Sequence, residues 1–381
     1  MKRSIVFSSL ATTGLALVLF LSHGKKVVVS NHQATHEQTI FGRFLNSQPN
    51  TAIALTHPHE WPASMYKDAV LYSLRHNDSQ VLDKHYLVPF FLMADKEHVK
   101  ARQLLQNGTT DADLAELCGT NPEANDVFAM LNSNNRGKNF FTDLADYLEK
   151  IDVMPSTTHQ YKRKGYISYY AEKKENYSLK SQESWQDKQR NIFKVLQETK
   201  PQTVLDLGSN AGWFSELAEH LGARVIATDI DESCLDYLYN KSHDQKLNIT
   251  TAVLPFEQCN KPEVRERFAC DTVLCLALIH HLVFVAGMTL EQIFEVLGKL
   301  TKKTLILEFV DLEDSHIQKG INNPNIFNSI QTHKNIIHTL QNYAYKYYNL
   351  EHFLQLSKKY FHSVEVINSH PATRSLLILT K

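Results

Sequence analysis

The sequence predicts an α/β protein. A doubly wound, mostly parallel sheet with one antiparallel C-terminal strand follows a helical N-terminal region. Three observations carry this expectation. From Val204 onward, short apolar runs rich in β-branched residues alternate with helix-length segments, the pattern of buried parallel strands joined by crossover helices. Gly208 and Gly212 follow the first of these runs at once. The last two runs, Ser363–Asn368 and Ser375–Thr380, are separated by a short turn at His370-Pro371, and so short a turn joins only antiparallel strands.

Taken in order, the first 24 residues are a separate object. Lys2 and Arg3 precede an apolar run from Ile5 to Leu21, and Lys25 and Lys26 follow it. About 17–20 residues span a bilayer as a helix, so the run just reaches. Residues 1–24 are read as a hydrophobic signal-anchor or as a cleaved signal peptide. Ser22 and Gly24 are small residues of the kind a signal peptidase accepts. Residues 25–160 read as helix-rich. Apolar positions recur three to four apart in Val99–Leu105, Asp111–Leu117, Pro122–Leu131 and Phe140–Ile151. His57, Pro58, Trp61 and Pro62 punctuate a loop. His57 and His59 form a lone pair without a third ligand nearby, so no metal site is expected.

Composition removes other classes. The chain has 381 residues, 43% hydrophobic and 21% charged, with Lys plus Arg 40 against Asp plus Glu 41. A net charge of −1 offers no positive field to gather nucleic acid. Five cysteines, odd in number and never spaced CxxC, indicate neither a disulfide framework nor a zinc ribbon.

The domain that follows is read as residues 161–381. Its approach is basic and aromatic, with Tyr161, Tyr166, Tyr169, Tyr170, Tyr177 and Trp185 among lysines and arginines. Either this is a solvated helical lead-in or a lid over a ligand. Gln182–Glu198 reads as a helix ended by Lys200-Pro201. Strands are then expected at Val204–Leu207, Arg224–Thr228, Asn248–Leu254, Asp271–Leu276 and Thr304–Val310.

The segment from Thr203 to Ser215 holds the main chemical signal. Asp206, Gly208, Ser209, Asn210 and Gly212 make a DxGxxxG turn between a strand and the helix that begins near Trp213. Glycines there let the backbone take unusual dihedrals close to a ligand. Asp229 ends the second strand, where an acid can accept hydrogen bonds from both hydroxyls of a ribose. A dinucleotide site calls for GxGxxG and bare amides facing pyrophosphate. Here Asn210 stands in the middle glycine's place, and Asp206 would repel a pyrophosphate. A carboxylate at that point suits the ammonium of S-adenosylmethionine instead.

On these residues the chain resembles a known family. GWFSELAEHLGARVIATDIDESCLDYLY, DTVLCLALIHHLVF, TKKTLILEFVDLED and the C-terminal YFHSVEVINSHPATRSLLIL are similar to class I S-adenosylmethionine-dependent methyltransferases, in particular to the NoeA-type (nodulation-protein) group. The resemblance runs from about Tyr161 to the C-terminus. It implies a Rossmann-like methyltransferase sheet and binding of S-adenosyl-L-methionine by Asp206, Gly208, Ser209, Asn210, Gly212, Trp213, Asp229 and Ile230. Such enzymes often hold the adenine amino group with an acid after the third strand. This chain has Val253 and Leu254 there, with Glu257 further on, so apolar packing by Val253 and Leu254 is expected. Leu276 closes the fourth strand and completes the cofactor set.

His280 and His281 lie just past the fourth strand, where open α/β sheets bind ligands. Either is a candidate general base; the alternative is that one caps a helix and the other bonds backbone. Tyr343, Tyr345, Tyr347 and Tyr348 are either packing or the lining of a substrate pocket. Cys270 and Cys275 are expected to be inert core thiols. The functional expectation is methyl transfer to a small-molecule or glycan acceptor, with no nucleic-acid partner. The alternative is a non-catalytic, membrane-tethered binding protein on the same fold. Because S-adenosylmethionine is made in the cytosol, a membrane-anchored protein with a cytosolic domain is expected; the alternative is secretion.

Overall fold

The structure, a computed structural model, describes residues 18–20, 26–28, 41–47, 57–133, 136–153, 155, 179, 182–183, 185–322 and 330–381. Seven strands make one sheet: β1 (Thr203–Leu207), β2 (Arg224–Asp229), β3 (Ile249–Val253), β4 (Cys270–Cys275), β5 (Thr301–Val310), β6 (Ser363–Asn368) and β7 (Arg374–Thr380). Their spatial order is β3-β2-β1-β4-β5-β7-β6. β1 pairs in parallel with β2 and β4, β2 with β3, and β4 with β5. β7 is antiparallel to both β5 and β6, so it alone runs against the rest, as the sequence predicts. Chain order reverses between β1 and β4, and the crevice beyond the carboxyl ends of these strands is where such a sheet takes its ligand.

Both faces of the sheet are covered, which is why its strands read as apolar runs rather than as alternating ones. Val204, Leu274, Ile306 and Ile378 face α8 (Asp187–Thr199) and α9 (Trp213–His220), where Trp185, Ile192, Leu196, Trp213 and Leu217 are buried. Leu205, Leu207, Val273, Leu305, Leu307, Leu377 and Leu379 lie in the opposite core.

That second core is continuous with the N-terminal helices: α1 (Gly42–Ser47), α2 (Ala63–Arg75), α3 (Lys84–Ala94), α4 (His98–Asn107), α5 (Asp111–Thr120), α6 (Pro122–Asn132) and α7 (Phe140–Glu149). The helices α4 to α7 occur where apolar spacing predicts them. The helix α5 opens on a capping box, Thr110 with Asp113, and Pro122 starts α6 with Asn121 as its cap. α1, α2 and α3 are additional to the segments that apolar spacing predicts. In α3 the run Leu87 to Met93 is buried without interruption, so no polar stripe marks a helical period.

The anchor or signal-peptide expectation for residues 1–24 falls mostly outside the described residues. Among the described residues of that apolar run, Val18–Phe20 is a strand paired antiparallel with Lys26–Val28. Val18, Val27 and Val28 are β-branched and suit extended backbone, and the pairing meets backbone bonds that a helix would have met internally. Among the described residues, no helix is long and apolar enough to cross a membrane. The rest of the run and Tyr161 to Tyr177 lie outside the described residues.

The other elements are α10 (Glu232–Gln245), α11 (Pro262–Phe268), α12 (Ile279–Phe284), α13 (Leu290–Leu300), and, between β5 and β6, α14 (Ser315–Asn322), α15 (Ile330–Thr339) and α16 (Leu350–Ser357). Tyr343 and Tyr348 of this insertion are structural. The Tyr343 hydroxyl accepts the Leu290 N–H at 2.8 Å. Tyr348 is 2% exposed and packs against Phe284, Phe309 and Phe353. Tyr345 faces solvent. Buried Arg374 ties the insertion to β7, its Nε donating to Asp314 at 2.9 Å.

Candidate functional site

β1 ends at Leu207, and the chain turns through three left-handed residues: Gly208 (φ +68°), Asn210 (φ +53°) and Gly212 (φ +85°). The turn is sewn to β2, since the Ser209 N–H donates to the Thr228 carbonyl at 2.9 Å. A Cβ at Gly212 would stand 2.5 Å from Leu238 of α10. The left-handed φ calls for glycine there, and any larger residue would also have to displace the Leu238 side chain. Trp213 opens α9 and stacks edge-on with Trp185, ring centroids 5.5 Å apart, so its indole belongs mainly to the core.

Asp229 is the hub of the turn. Its Oδ2 accepts the Asn210 N–H and its Oδ1 accepts the Asp231 N–H, each at 2.9 Å. The carboxylate is thereby fixed in orientation and keeps free lone pairs for other donors. Burial raises its pKa, and the two backbone donors oppose this only in part. Beside it Ile230 is 52% exposed, an apolar side chain held in the open. On β3 Val253 is half-buried and Leu254 buried. The Leu254 N–H donates to the Asp229 carbonyl at 3.0 Å, so this pair forms an apolar shelf next to the acid.

Asp206 is 3% exposed. Its Oδ2 accepts the Ser215 hydroxyl at 2.7 Å. Burial pushes its pKa up to about 6, the Ser215 hydrogen bond pulls it down, and the Asp229 charge raises it further. Two acids thus flank one glycine turn, and among the described residues no cation is bonded to either. Lys188, whose charge lowers the Asp206 pKa, donates its Nζ to Glu308 at 2.6 Å. Glu308 is completely buried and also accepts the Ser369 hydroxyl at 2.7 Å. The sequence reading passed over this pair. Its one visible signal was a lone acid inside the apolar strand Thr304–Val310.

Leu276 is buried at the end of β4. Ala277 follows with φ +50°, and α12 then carries His280 and His281, ring centroids 4.2 Å apart. Burial first, then neighbouring positive charge including Arg374, drives both imidazoles down, His281 to about 4. Both are neutral across the physiological range. Among the described residues, the Nδ1 of His280 meets no hydrogen-bond partner. The structure therefore brings the cofactor candidates together around the β1–β2 turn and puts the two histidines at the neighbouring end of β4. Cys270 and Cys275 are buried, and burial raises both thiols, Cys270 to about 11. Such thiols are inert. Among the described residues no group of three or more His, Cys, Asp or Glu comes together to hold a metal.

A parallel sheet of this order, with an acid fixed at the end of β2 and a left-handed glycine turn after β1, defines a domain for a nucleoside-bearing cofactor. Residues 204–299 match the sequence family described as a methyltransferase domain. The nodulation protein NoeA of Rhizobium meliloti (strain 1021) is 30% identical over 143 residues, which is 35% of this chain and 30% of that protein. The chain thus aligns with under a third of that relative's length. Among solved structures, WbdD superposes with a TM-score of 0.35 at 16% identity, covering 50% of this chain and 38% of that one. Magnesium protoporphyrin IX methyltransferase from Synechocystis PCC 6803 gives a TM-score of 0.34 at 14% identity, covering 50% and 81%.

The residues present fit S-adenosylmethionine. Asp229 offers fixed acceptor lone pairs suited to ribose hydroxyls, Ile230, Val253 and Leu254 offer apolar surface for a base, and among the described residues no cation is bonded to buried Asp206. A pyrophosphate would meet two carboxylates.

Proposed function

We propose that this protein transfers a methyl group from S-adenosylmethionine to a small-molecule or glycan acceptor. The observation that carries the reading is the doubly acidic turn: Asp206, buried with its pKa pushed up to about 6, beside Asp229 held by two backbone donors. A cationic nucleoside satisfies both. Bound S-adenosylmethionine supplies a methyl group activated by its sulfonium.

The chain's own residues do the rest. Asp229 accepts the ribose hydroxyls, and Ile230, Val253 and Leu254 cover the adenine. Asp206 faces the ammonium. Leu276 and the Gly208 turn hold the reacting end and shed water, which leaves orientation as the main source of rate. His280, neutral and with Nδ1 unpaired, accepts a hydrogen bond from the acceptor. Its lowered basicity makes it a weak general base. His280→Ala is therefore expected to lower kcat by about fivefold to tenfold, the size of one lost hydrogen bond of about 1 kcal/mol. A full general base would give about 10²–10⁴. Steady-state assay of the folded variant separates the two. The balanced charge of the chain supports a small acceptor over a polyanion.

Calorimetric titration with S-adenosylhomocysteine and with NAD tests the cofactor assignment: only the first should bind. A screen of acceptors with methyl-labelled cofactor tests turnover, and binding without any labelled product would favour a binding protein. We also place the domain in the cytosol, supported by the five free cysteines among the described residues, four of them buried. Protease digestion of intact cells checks this, since a domain cut from outside would not be cytosolic.

A further inference from the structure

Glu232 is the first residue of α10, three positions after Asp229, and is 2% exposed. A buried carboxylate persists only where charge and hydrogen bonds compensate it. Here that compensation comes from the N-terminal helices. Oε1 accepts the Ala63 N–H at 2.9 Å and lies 2.8 Å from the Arg102 guanidinium. The Nδ1 of His98 stands 3.3 Å from Oε2. Arg102 itself is oriented by a second bond, its Nη1 donating to the His59 carbonyl at 2.6 Å. One turn further along α10, Asp236 accepts the Ser64 N–H at 2.8 Å and the Ser64 hydroxyl at 2.9 Å.

The other side of this anchor is the cofactor turn. Asp231 donates its N–H to Asp229 and accepts the Ser233 N–H at 3.0 Å, capping α10. From Asp229 to Glu232 the chain is therefore short and bonded at both ends, one end carrying the ribose acceptor and the other held by Arg102. We propose that Arg102 is a positioning residue for the cofactor's nucleoside half: through Glu232 it sets where the Asp229–Asp231 turn sits. The helices around it are then part of the cofactor site's frame, not an appendage. This rests on the reading of Asp229 as the ribose acceptor.

The test uses the full chain and S-adenosylhomocysteine in calorimetry, at a temperature where circular dichroism shows every variant folded. Arg102→Met keeps the apolar stem and removes the charge. It should weaken binding about fivefold or more, in the range of ordinary coupling between sites. Turnover at saturating cofactor should be preserved, so the change falls on the cofactor KM. Arg102→Lys, which retains a cation for Glu232, should recover most of the affinity. Arg267→Met is the control. Arg267 of α11 makes a two-pronged pair with Glu60, at 2.8 and 2.6 Å, and so tests loss of an ion pair to the N-terminal helices that does not run through Glu232. Losing it should lower the melting temperature and leave affinity as in the wild type.

Unchanged binding by Arg102→Met, or an equal loss in Arg267→Met, overturns the inference and leaves the proposed function standing. A wild-type protein that binds no S-adenosylhomocysteine overturns the proposed function itself. If Arg102→Met does not fold, His98→Leu removes the contact to Oε2 and should weaken binding in the same direction; normal affinity there also overturns the inference.

Discussion

Asp206→Asn is expected to stabilise the cofactor-free protein at pH 8 while weakening cofactor binding. Asp206 carries a folded-state pKa of about 6 against an ordinary value of 3.8. The folded protein therefore binds this proton more tightly than the unfolded chain. Stability from this group is fully present below pH 4 and is lost as pH rises through 6. Two units at 1.36 kcal/mol each put the cost of the buried charge at about 3 kcal/mol at most. Asparagine keeps an acceptor for the Ser215 hydroxyl and removes the charge, so the variant should gain about 1–3 kcal/mol at pH 8. At pH 4 little gain is expected. Urea unfolding at the two pH values measures the difference, and an equal gain at both would remove Asp206 titration as the cause.

Binding should move the opposite way. An ammonium beside the carboxylate favours its charged form, so wild-type affinity should fall as pH drops below about 6. The Asn variant should lose that pH dependence and bind about tenfold or more weakly, since hydrogen bonds to charged groups contribute about 1.5–3 kcal/mol. A stable but weaker-binding variant is the usual trade between site strain and stability.

Asp229→Ala should cost a similar factor in affinity for a different reason. The ribose hydroxyls lose a charged acceptor of about 1.5–3 kcal/mol, or roughly tenfold or more in Kd. The Asn210 and Asp231 N–H groups also lose the partner that orients them, so the turn itself loosens. Asp229→Asn separates the two effects: its amide oxygen can still accept from one of those donors. The Asn variant should therefore bind better than the Ala variant. Calorimetry with S-adenosylhomocysteine reads both, and a folded Ala variant with wild-type affinity would remove Asp229 from the site.

Much of the fold is legible in the sequence. The strands from Val204 to Val310 and the hairpin at its end are apolar, β-branched runs because the sheet is covered on both faces. Gly208 and Gly212 announce left-handed backbone after β1. Helices α4 to α7 show a polar stripe and are therefore visible in the period of their apolar residues. α3 was hidden because Leu87 to Met93 are all buried. Of the apolar run near the N-terminus, the described residues hold the strand pair that Val18–Phe20 makes with Lys26–Val28, which length and hydropathy do not announce.

The site divides along the same line. Residue type and local spacing determined the turn from Asp206 to Gly212 and the acid at the end of β2, because these chemical roles are set within one strand-turn-helix segment. Only the tertiary structure decided the charge states and the partners. Asp206 and the two histidines are shifted by burial, which depends on what the rest of the chain lays over them. Lys188 reaches Glu308, and Arg102 reaches Glu232, across long separations in sequence. No local pattern encodes such a pair. Each ion is a plausible surface charge until folding removes it from water, and only then does its partner become necessary.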